Sequence, residues 1–126
     1  MDLSTKMIFL VVDDSKISRK WLIEMIPKKI AESINIIEAN NGEEALEMYE
    51  QHKPDIVFLD ITMPIIDGFE ALERIKAMNP SALVIMISAD RQKSTKEKVL
   101  GLGASAILSK PIDEEEFRTT LLKLVF

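Results

Sequence analysis

The stretch Asp55-Ile56-Val57-Phe58-Leu59-Asp60 places four consecutive apolar residues between two acids. A short apolar run rich in Val, Ile and Phe is typical of a strand that is buried on both faces. Pro64 and the Asp67-Gly68 pair follow this run and predict a loop. Asp60 is therefore expected at the carboxyl end of a central strand, where open α/β sheets place their ligand-binding crevice. Taken alone, a strand-ending aspartate fits a cap of the next helix equally well.

Composition and charge are those of a soluble globular protein. The chain has 126 residues, of which 47% are hydrophobic and 29% charged, enough for a single core. Its net charge of −5 argues against a nucleic-acid surface, because phosphate contacts need clustered Lys and Arg. The absence of cysteine excludes disulfides, thiolate metal ligands and cysteine nucleophiles.

The sequence carries no targeting or membrane signal. Met1 to Lys6 are polar and too short for a signal peptide, and no apolar run approaches the ~18 residues of a membrane span. We therefore expect a cytoplasmic protein that contacts neither membrane nor nucleic acid.

Apolar runs alternate with helical periodicity along the whole chain. Besides the Asp60 strand, we predict strands at Met7–Val12, Ile34–Ala39, Ala82–Ile87 and Ala104–Ser109. Helices are predicted at about Ser15–Ile26, Glu43–Gln51, Asp67–Met78, Gln92–Leu100 and Asp113–Val125. Buried strands joined by helices imply a parallel sheet with right-handed crossovers and helices on both faces. The prediction is one doubly wound α/β domain with a five-stranded sheet and five helices.

Three aromatic or imidazole side chains and one proline add local predictions. Pro27 should end or kink the first helix near Ile26, because an interior proline costs ~3 kcal/mol. Trp21 and Phe69 stand at helical core spacing and are predicted to pack. His52, the only histidine, is predicted to be an exposed loop residue.

Four of the predicted strands end in charged or hydroxylated residues: Asp13 and Asp14, Asp60, Ser88, and Lys110. The carboxyl ends of parallel strands lie along one edge of a sheet, so these side chains can converge. Three neighbouring carboxylates repel unless a cation lies among them. Carboxylate oxygens in small number suit Mg²⁺, which also accepts phosphate oxygens.

An aspartate in such a site can attack phosphorus and form an acyl phosphate. The loose transition state of phosphoryl transfer needs mainly positioning and neutralisation of the equatorial oxygens. Mg²⁺, the Lys110 ammonium group and the Ser88 hydroxyl would provide both.

These motifs and their order resemble a response-regulator receiver domain, of the single-domain kind related to chemotaxis regulators. The similarity covers nearly all of residues 1–126 and implies a flavodoxin-like fold with strand order 2-1-3-4-5. It rests on Val11-Val12-Asp13-Asp14-Ser15, Phe58-Leu59-Asp60-Ile61-Thr62-Met63-Pro64, Asp67-Gly68, Ser88-Ala89, Gly103-Ala104 and Lys110-Pro111.

The resemblance implies a role for each strand-end acid. Asp60 would accept a phosphoryl group from a sensor histidine kinase or a phosphotransfer protein. Asp14 and Asp60 would ligate Mg²⁺ together with the backbone carbonyl of Thr62, while Asp13 would act through water.

The resemblance also implies that Ser88 and Lys110 contact the phosphoryl group and that the Lys110–Pro111 bond is cis.

Two features depart from the family pattern. Ile107 stands where the family often has an aromatic residue that rotates inward on phosphorylation, so that switch is not carried over. Ser88 stands where threonine is common. Thr62 and Asp90 occupy positions that modulate hydrolysis of the phosphoryl group in the family.

The resemblance implies a stand-alone, monomeric response regulator in two-component signalling that is not an enzyme. The context that it suggests is chemotaxis. Its output would be binding of a target protein, because no DNA-binding or catalytic domain follows Phe126. The binding face would be made by the fourth predicted helix (Gln92–Leu100), the fifth strand (Ala104–Ser109) and the fifth predicted helix (Asp113–Val125).

Three alternatives remain open at this stage. A phosphorelay intermediate or phosphate sink would use the same site. A haloacid-dehalogenase-type phosphatase also uses a strand-end aspartate, but it needs a second acid where Thr62 stands, and a cap for which this chain has no room. The chain is also compatible with a receiver domain excised from a longer regulator.

Overall fold

The computed structural model describes residues 6–63 and 65–125. The polar start from Met1 to Thr5, the predicted loop residue Pro64, and Phe126 lie outside the described residues. The strands are β1 (Met7–Val12), β2 (Ile34–Ala39), β3 (Ile56–Asp60), β4 (Leu83–Ser88) and β5 (Ala106–Ser109). The helices are α1 (Lys16–Met25), α2 (Lys28–Ala31), α3 (Gly42–His52), α4 (Gly68–Met78), α5 (Lys93–Gly101) and α6 (Glu114–Val125).

The five strands form one parallel sheet in the order β2-β1-β3-β4-β5. This confirms the predicted doubly wound α/β class and its strand order. β3 lies in the middle, paired with β1 on one side and β4 on the other, and all five of its residues are buried. Its position explains why the Asp55–Asp60 stretch is so apolar, because a central parallel strand meets helices on both faces.

Side chains of β3 alternate between two apolar clusters on opposite faces of the sheet. Val57 and Leu59 belong to a cluster under α3, α4 and α5. Ile56 and Phe58 belong to a cluster under α1 and α6. In the second cluster the Phe58 ring lies 5.8 Å from the ring of Phe9 and 5.4 Å from that of Phe117. The sheet therefore has a continuous core on each side.

Helix α2 is an element that the sequence prediction did not contain. As expected, Pro27 ends the first helix: α1 stops at Met25, and the Ile26 N–H bonds back to Ile23. The Pro27 carbonyl then accepts hydrogen bonds from Ile30 and Ala31, which starts the four-residue turn of α2. A helix this short spans barely one period, so apolar spacing cannot reveal it.

The packing prediction was wrong for Trp21, whose side chain is 62% exposed. Successive helix residues point 100° apart, and α1 turns Leu22 toward the sheet, which leaves Trp21 at the side. Phe69 does pack, against the cluster under α4. His52 is exposed as predicted but is the last residue of α3 rather than a loop residue.

The remaining differences are small. β4 begins and ends one residue later than predicted, and β5 begins at Ala106 rather than Ala104. Gly103 follows α5 with φ of 101°, a left-handed conformation that suits glycine after a helix. Among the described residues, none of the helices combines the length and apolar character needed to span a bilayer.

The aromatic contact around Phe58 should contribute strongly to stability. Phe58 is 0% exposed, so we expect Phe58→Ala to lower the free energy of unfolding by about 3–5 kcal/mol through lost burial and a residual cavity. Urea denaturation monitored by circular dichroism measures this. Trp21→Ala is the matched control, and because Trp21 is mostly exposed its loss should stay below about 1 kcal/mol. Equal losses in the two variants would contradict this account of the core.

Candidate functional site

Strand-end residues meet at one edge of the sheet. Asp60 is the last residue of β3 and Ser88 the last of β4, while Asp13 and Lys110 directly follow β1 and β5. The strands run in register, with Asp60 opposite Ile87 on the neighbouring strand. Asp13, Asp60 and Ser88 are buried, and Lys110 is half-buried. The parallel topology thus brings together side chains that are up to 97 positions apart in the chain.

Three carboxylates form the centre of this site. Asp13, Asp14 and Asp60 each offer a ligand oxygen within 4.8 Å of the others. Asp13 and Asp60 are only 6% and 5% exposed, whereas Asp14 faces solvent. Oxygen ligands of this kind and number are those that Mg²⁺ prefers, with its remaining positions filled by water or phosphate. The donor set fits a metal ion that is reached from the exposed Asp14 side.

Lys110 bridges two of the carboxylates. Its Nζ donates to Asp13 Oδ2 at 3.0 Å and lies 3.5 Å from Asp60 Oδ2. The backbone N–H of Lys110 donates to the Ser88 carbonyl at 2.8 Å, which anchors the residue to β4. The Lys110–Pro111 peptide bond is cis, as the family resemblance implied. The side-chain bond to Asp13 and the backbone bond to Ser88 hold the ammonium group over the acidic cluster from the end of β5.

Asp60 has an unusual protonation equilibrium. Burial raises the pKa of its carboxyl from 3.8 to about 6, and the charges of Asp13 and Asp14 act in the same direction. Lys110 and a hydrogen bond from the backbone of Thr62 oppose the rise in this pKa without cancelling it. A cation near Asp60 would favour its ionised form.

Lys110 shows the complementary effect. Burial by itself would lower the pKa of its ammonium group, but the hydrogen bond to Asp13 and the charges of Asp60 and Asp13 raise this pKa above its ordinary value. Lys110 therefore stays positively charged at neutral pH.

The loop after β3 carries Thr62 and depends on a close backbone approach. Thr62 is exposed two residues beyond Asp60. The Gly68 N–H donates to the Ile61 carbonyl at 2.8 Å. A Cβ atom on Gly68 would lie 2.4 Å from Ile61 Cα and 2.5 Å from the Asp60 carbonyl oxygen, so only glycine fits. The Asp67-Gly68 pair thus allows α4 to begin against the strand end that carries Asp60.

Ser88 connects the site to the start of α5. Its Oγ accepts a hydrogen bond from the Asp90 N–H at 2.9 Å. The Asp90 carboxylate in turn accepts from the Gln92 N–H at 2.8 Å and from Thr95 Oγ1 at 2.6 Å. These bonds, that of Thr95 first, hold the pKa of Asp90 below its usual value. Asp90 is exposed and directed toward α5 by these contacts.

Ile107 is half-buried in β5 and lines a surface pocket of about 160 Å³ between α5 and α6. Asp90, Lys96 and Glu116 are among the residues that line the same pocket. The position that the resemblance associates with an aromatic switch therefore lies next to the exposed end of the Ser88–Asp90 connection.

Sequence reasoning missed Arg19. This residue of α1 donates from Nη1 to the Asp13 backbone carbonyl at 2.6 Å and from Nε to Glu38 Oε1 at 2.9 Å. The available signal was a basic residue one helical turn after Ser15, the cap of α1. Nothing in the local pattern, however, indicates which backbone carbonyl it meets.

Comparisons with known proteins agree with this geometry. A family model described as the response regulator receiver domain matches residues 9–122. A chemotaxis protein CheY from Listeria monocytogenes is 40% identical over 114 residues, which are 90% of this chain and 94% of that protein. A chemotaxis protein CheY from Bacillus subtilis is 38% identical over 106 residues, or 84% and 87% of the two chains. A solved structure, the CheX-CheY-BeF3-Mg+2 complex from Borrelia burgdorferi, includes a chain with TM-score 0.86 and 36% identity, covering 95% of this chain and 90% of that one.

Because the pKa of Asp60 is raised, its ionisation is predicted to lower the free energy of unfolding of the metal-free protein as the pH rises. Because the folded-state pKa lies above the ordinary value, the contribution of Asp60 to stability is complete below pH 3.8 and is lost as the pH rises through about 6. Asp60→Asn should therefore raise the free energy of unfolding at pH 7.5, on the order of 1–2 kcal/mol after solvent screening, and leave it unchanged near pH 3.8.

Urea denaturation in the presence of a chelator, from pH 4 to 8, measures the effect. Asp90→Asn is the control, because the pKa of Asp90 is lowered and its replacement should give no gain at pH 7.5. A stability difference between Asp60→Asn and the natural protein that does not vary with pH would contradict the assignment.

Proposed function

The chain belongs to the family of response regulator receiver domains, and on that premise we propose that it is a phosphorylation-dependent switch with Asp60 as the phosphoacceptor. Members of this family are signalling domains of two-component systems. The observation that carries the proposal is the convergence of Asp60 and Asp13 on one ammonium group, with the Lys110 Nζ 3.5 Å from Asp60 and 3.0 Å from Asp13. Residues 1–126 would form one receiver domain, monomeric and cytoplasmic.

In this proposal Mg²⁺ is held directly by Asp14, Asp60 and the Thr62 carbonyl, and by Asp13 through water. The three carboxylates fit this ion by donor type and by their mutual distances. When bound, Mg²⁺ supplies positive charge that favours ionised Asp60 and neutralises phosphoryl oxygens. Asp13 has less freedom than Asp14, because one of its oxygens already accepts from Lys110 and the other from the Ser15 N–H at 2.9 Å.

Phosphoryl transfer then requires that Asp60 is ionised and that positive charge neutralises the oxygens of the phosphoryl group. An oxygen of Asp60 forms the new bond to phosphorus while the bond from phosphorus to the donor nitrogen of a phosphohistidine breaks, which leaves an acyl phosphate on Asp60. Lys110 is near enough to pair with the new phosphoryl oxygens in place of the Asp60 carboxylate. The Ser88 hydroxyl, at the end of the next strand, donates to one of them. The donor would be a sensor histidine kinase or a phosphotransfer protein.

The output would be recognition by a target protein at the face made by α5, β5 and α6. The support is the Ser88–Asp90 hydrogen bond, which links the phosphoacceptor edge to the first turn of α5. If the Ser88 side chain turns to donate its hydroxyl to a phosphoryl group, its Oγ moves away from the Asp90 N–H, and this would shift the balance between two conformations. Ile107 offers no aromatic ring for this purpose. Chemotaxis is the favoured context, because the compared relatives are named chemotaxis proteins.

Membership of the receiver family leaves the haloacid-dehalogenase-type phosphatase hypothesis without support. A phosphorelay intermediate or phosphate sink would use the same residues, and the lifetime of the acyl phosphate distinguishes these roles from a diffusible switch.

We predict that acetyl phosphate and Mg²⁺ give a single phosphoryl adduct on the natural protein and none on Asp60→Asn. Intact mass spectrometry against time measures this. Asp55→Asn is the matched control, because Asp55 precedes the same strand at its other end, where its carboxylate accepts from the Ile8 N–H at 2.7 Å. It should keep the adduct.

An adduct on Asp60→Asn, or none on the natural folded protein with Mg²⁺, would overturn the proposed function. Decay within minutes would favour a fast diffusible output, whereas persistence for hours would favour a relay.

We further predict that Lys110→Ala still forms the adduct but loses the conformational response. Amide hydrogen exchange in α5 and α6, compared before and after phosphorylation, should change in the natural protein and stay unchanged in the variant, because the ammonium group no longer pairs with the phosphoryl oxygens. Lys28→Ala, at an exposed position in α2, is the control and should respond normally. A normal response in Lys110→Ala would remove this residue from the coupling.

A further inference from the structure

Arg19 joins three elements beside the acidic cluster. It is on α1, its side chain is only 12% exposed, and it contacts the Asp13 carbonyl at 2.6 Å and Glu38 of β2 at 2.9 Å. A mostly buried guanidinium group that makes two charge-assisted hydrogen bonds is held in one orientation. We propose that Arg19 is a positioning residue, which sets the Asp13–Asp14 turn in the geometry that holds the metal ion. This inference rests on the proposed function, in which Mg²⁺ binds at that turn.

The Asp13 residue is held from both sides of its backbone. Its N–H donates to the Ala39 carbonyl at 3.2 Å, and its C=O accepts from Arg19. Because a peptide unit is planar, fixing the C=O of Asp13 also fixes the direction in which the chain enters Asp14. Asp14 is exposed and joins the carboxylate cluster from the solvent side. Its position relative to Asp60 therefore depends on the peptide unit that Arg19 holds.

The two contacts of Arg19 need a guanidinium group. Its planar fork donates to two acceptors in fixed relative directions, whereas a lysine ammonium is a point charge on a flexible stem. Glu38 is on β2 in register with Val11 of β1, so the sheet fixes the backbone position from which its carboxylate reaches Arg19. The ion pair with Glu38 thus serves to aim the guanidinium group at the Asp13 carbonyl.

The consequence is a metal site whose affinity depends on a residue that touches no ligand oxygen. Groups that orient metal ligands typically change metal affinity by 10–100-fold when removed. We expect Arg19→Ala to raise the Mg²⁺ dissociation constant about tenfold, at the low end of that range because other bonds still hold the Asp13 side chain. Arg19→Lys and Glu38→Gln should give smaller increases, since each keeps part of the arrangement.

Arg118 provides a matched control. It also reaches a backbone carbonyl in another helix, with Nε donating to Met25 O at 3.0 Å, and it also pairs with a glutamate, with Nη2 3.3 Å from Glu114. The Met25 contact joins α6 to the end of α1, the Glu114 contact lies within α6, and neither involves a site carboxylate. Arg118→Ala removes the same kinds of bond and should leave the Mg²⁺ dissociation constant unchanged.

The experiment is equilibrium dialysis of Mg²⁺ against the natural protein, the Arg19 and Glu38 variants, and Arg118→Ala, with urea denaturation in chelator as the measure of folding. A second readout is the phosphorylation rate with acetyl phosphate, where the deficit of Arg19→Ala should shrink as Mg²⁺ is raised to saturation. If Arg19→Ala does not fold, Arg19→Lys and Glu38→Gln carry the test.

Weaker Mg²⁺ binding in the Arg19 and Glu38 variants, with Arg118→Ala unaffected, supports the inference. Dissociation constants within twofold of the natural value, or an equal increase in Arg118→Ala, would overturn it while leaving the proposed function intact. A natural protein that binds no Mg²⁺ would overturn both.

Discussion

Two buried carboxylates, Asp13 and Asp60, share a single ammonium group, that of Lys110, at the carboxyl edge of the sheet. At an effective dielectric constant of about 20, two like charges at the 4.8 Å limit of this cluster repel by about 3.5 kcal/mol, while an opposite charge at 3.0 Å attracts by about 5.5 kcal/mol. One lysine thus compensates roughly one of its two partners. Burial and the remaining acids still raise the pKa of Asp60 to about 6. The site is short of positive charge, which is the physical reason that it suits a divalent cation.

The surrounding structure keeps this charge imbalance from relaxing. Asp60 belongs to a strand that is buried on both faces, so its backbone cannot move without disturbing two apolar clusters. Asp13 is held by the neighbouring strand and by Arg19, and Lys110 is tied to β4 through its backbone. Gly68 lets α4 begin directly against the strand end. Because the protein holds the acids in place, their mutual repulsion persists in the folded state. Binding of a cation relieves this repulsion without any rearrangement of the protein.

The connection from Ser88 through Asp90 to α5 gives the proposed switch a route that needs no aromatic residue. The Asp90 N–H donates to Ser88, and the Asp90 carboxylate accepts from Thr95 in the first turn of α5. Ile107 of β5 lines the adjoining pocket. Helix α5 contributes one buried residue, Val99, to the core, and its N-terminus has no side-chain cap. An end held mainly by a few polar contacts can shift at low cost, unlike the packed strands. The proposed output face thus includes a helix that contributes only one buried residue to the core.

The sequence by itself determined the fold class, the strand order expected from the family resemblance, and the strand-end placement of Asp13, Asp14, Asp60, Ser88 and Lys110. These follow from local apolar periodicity and from the rule that parallel strands end on one edge. Tertiary structure alone decided the exposure of Trp21, because periodicity gives a helix face but not its direction relative to the sheet. It also decided the short α2 and the contact of Arg19 with the Asp13 carbonyl. Such contacts depend on how α1 lies across the ends of β1 and β2, and no pattern within one element encodes that arrangement.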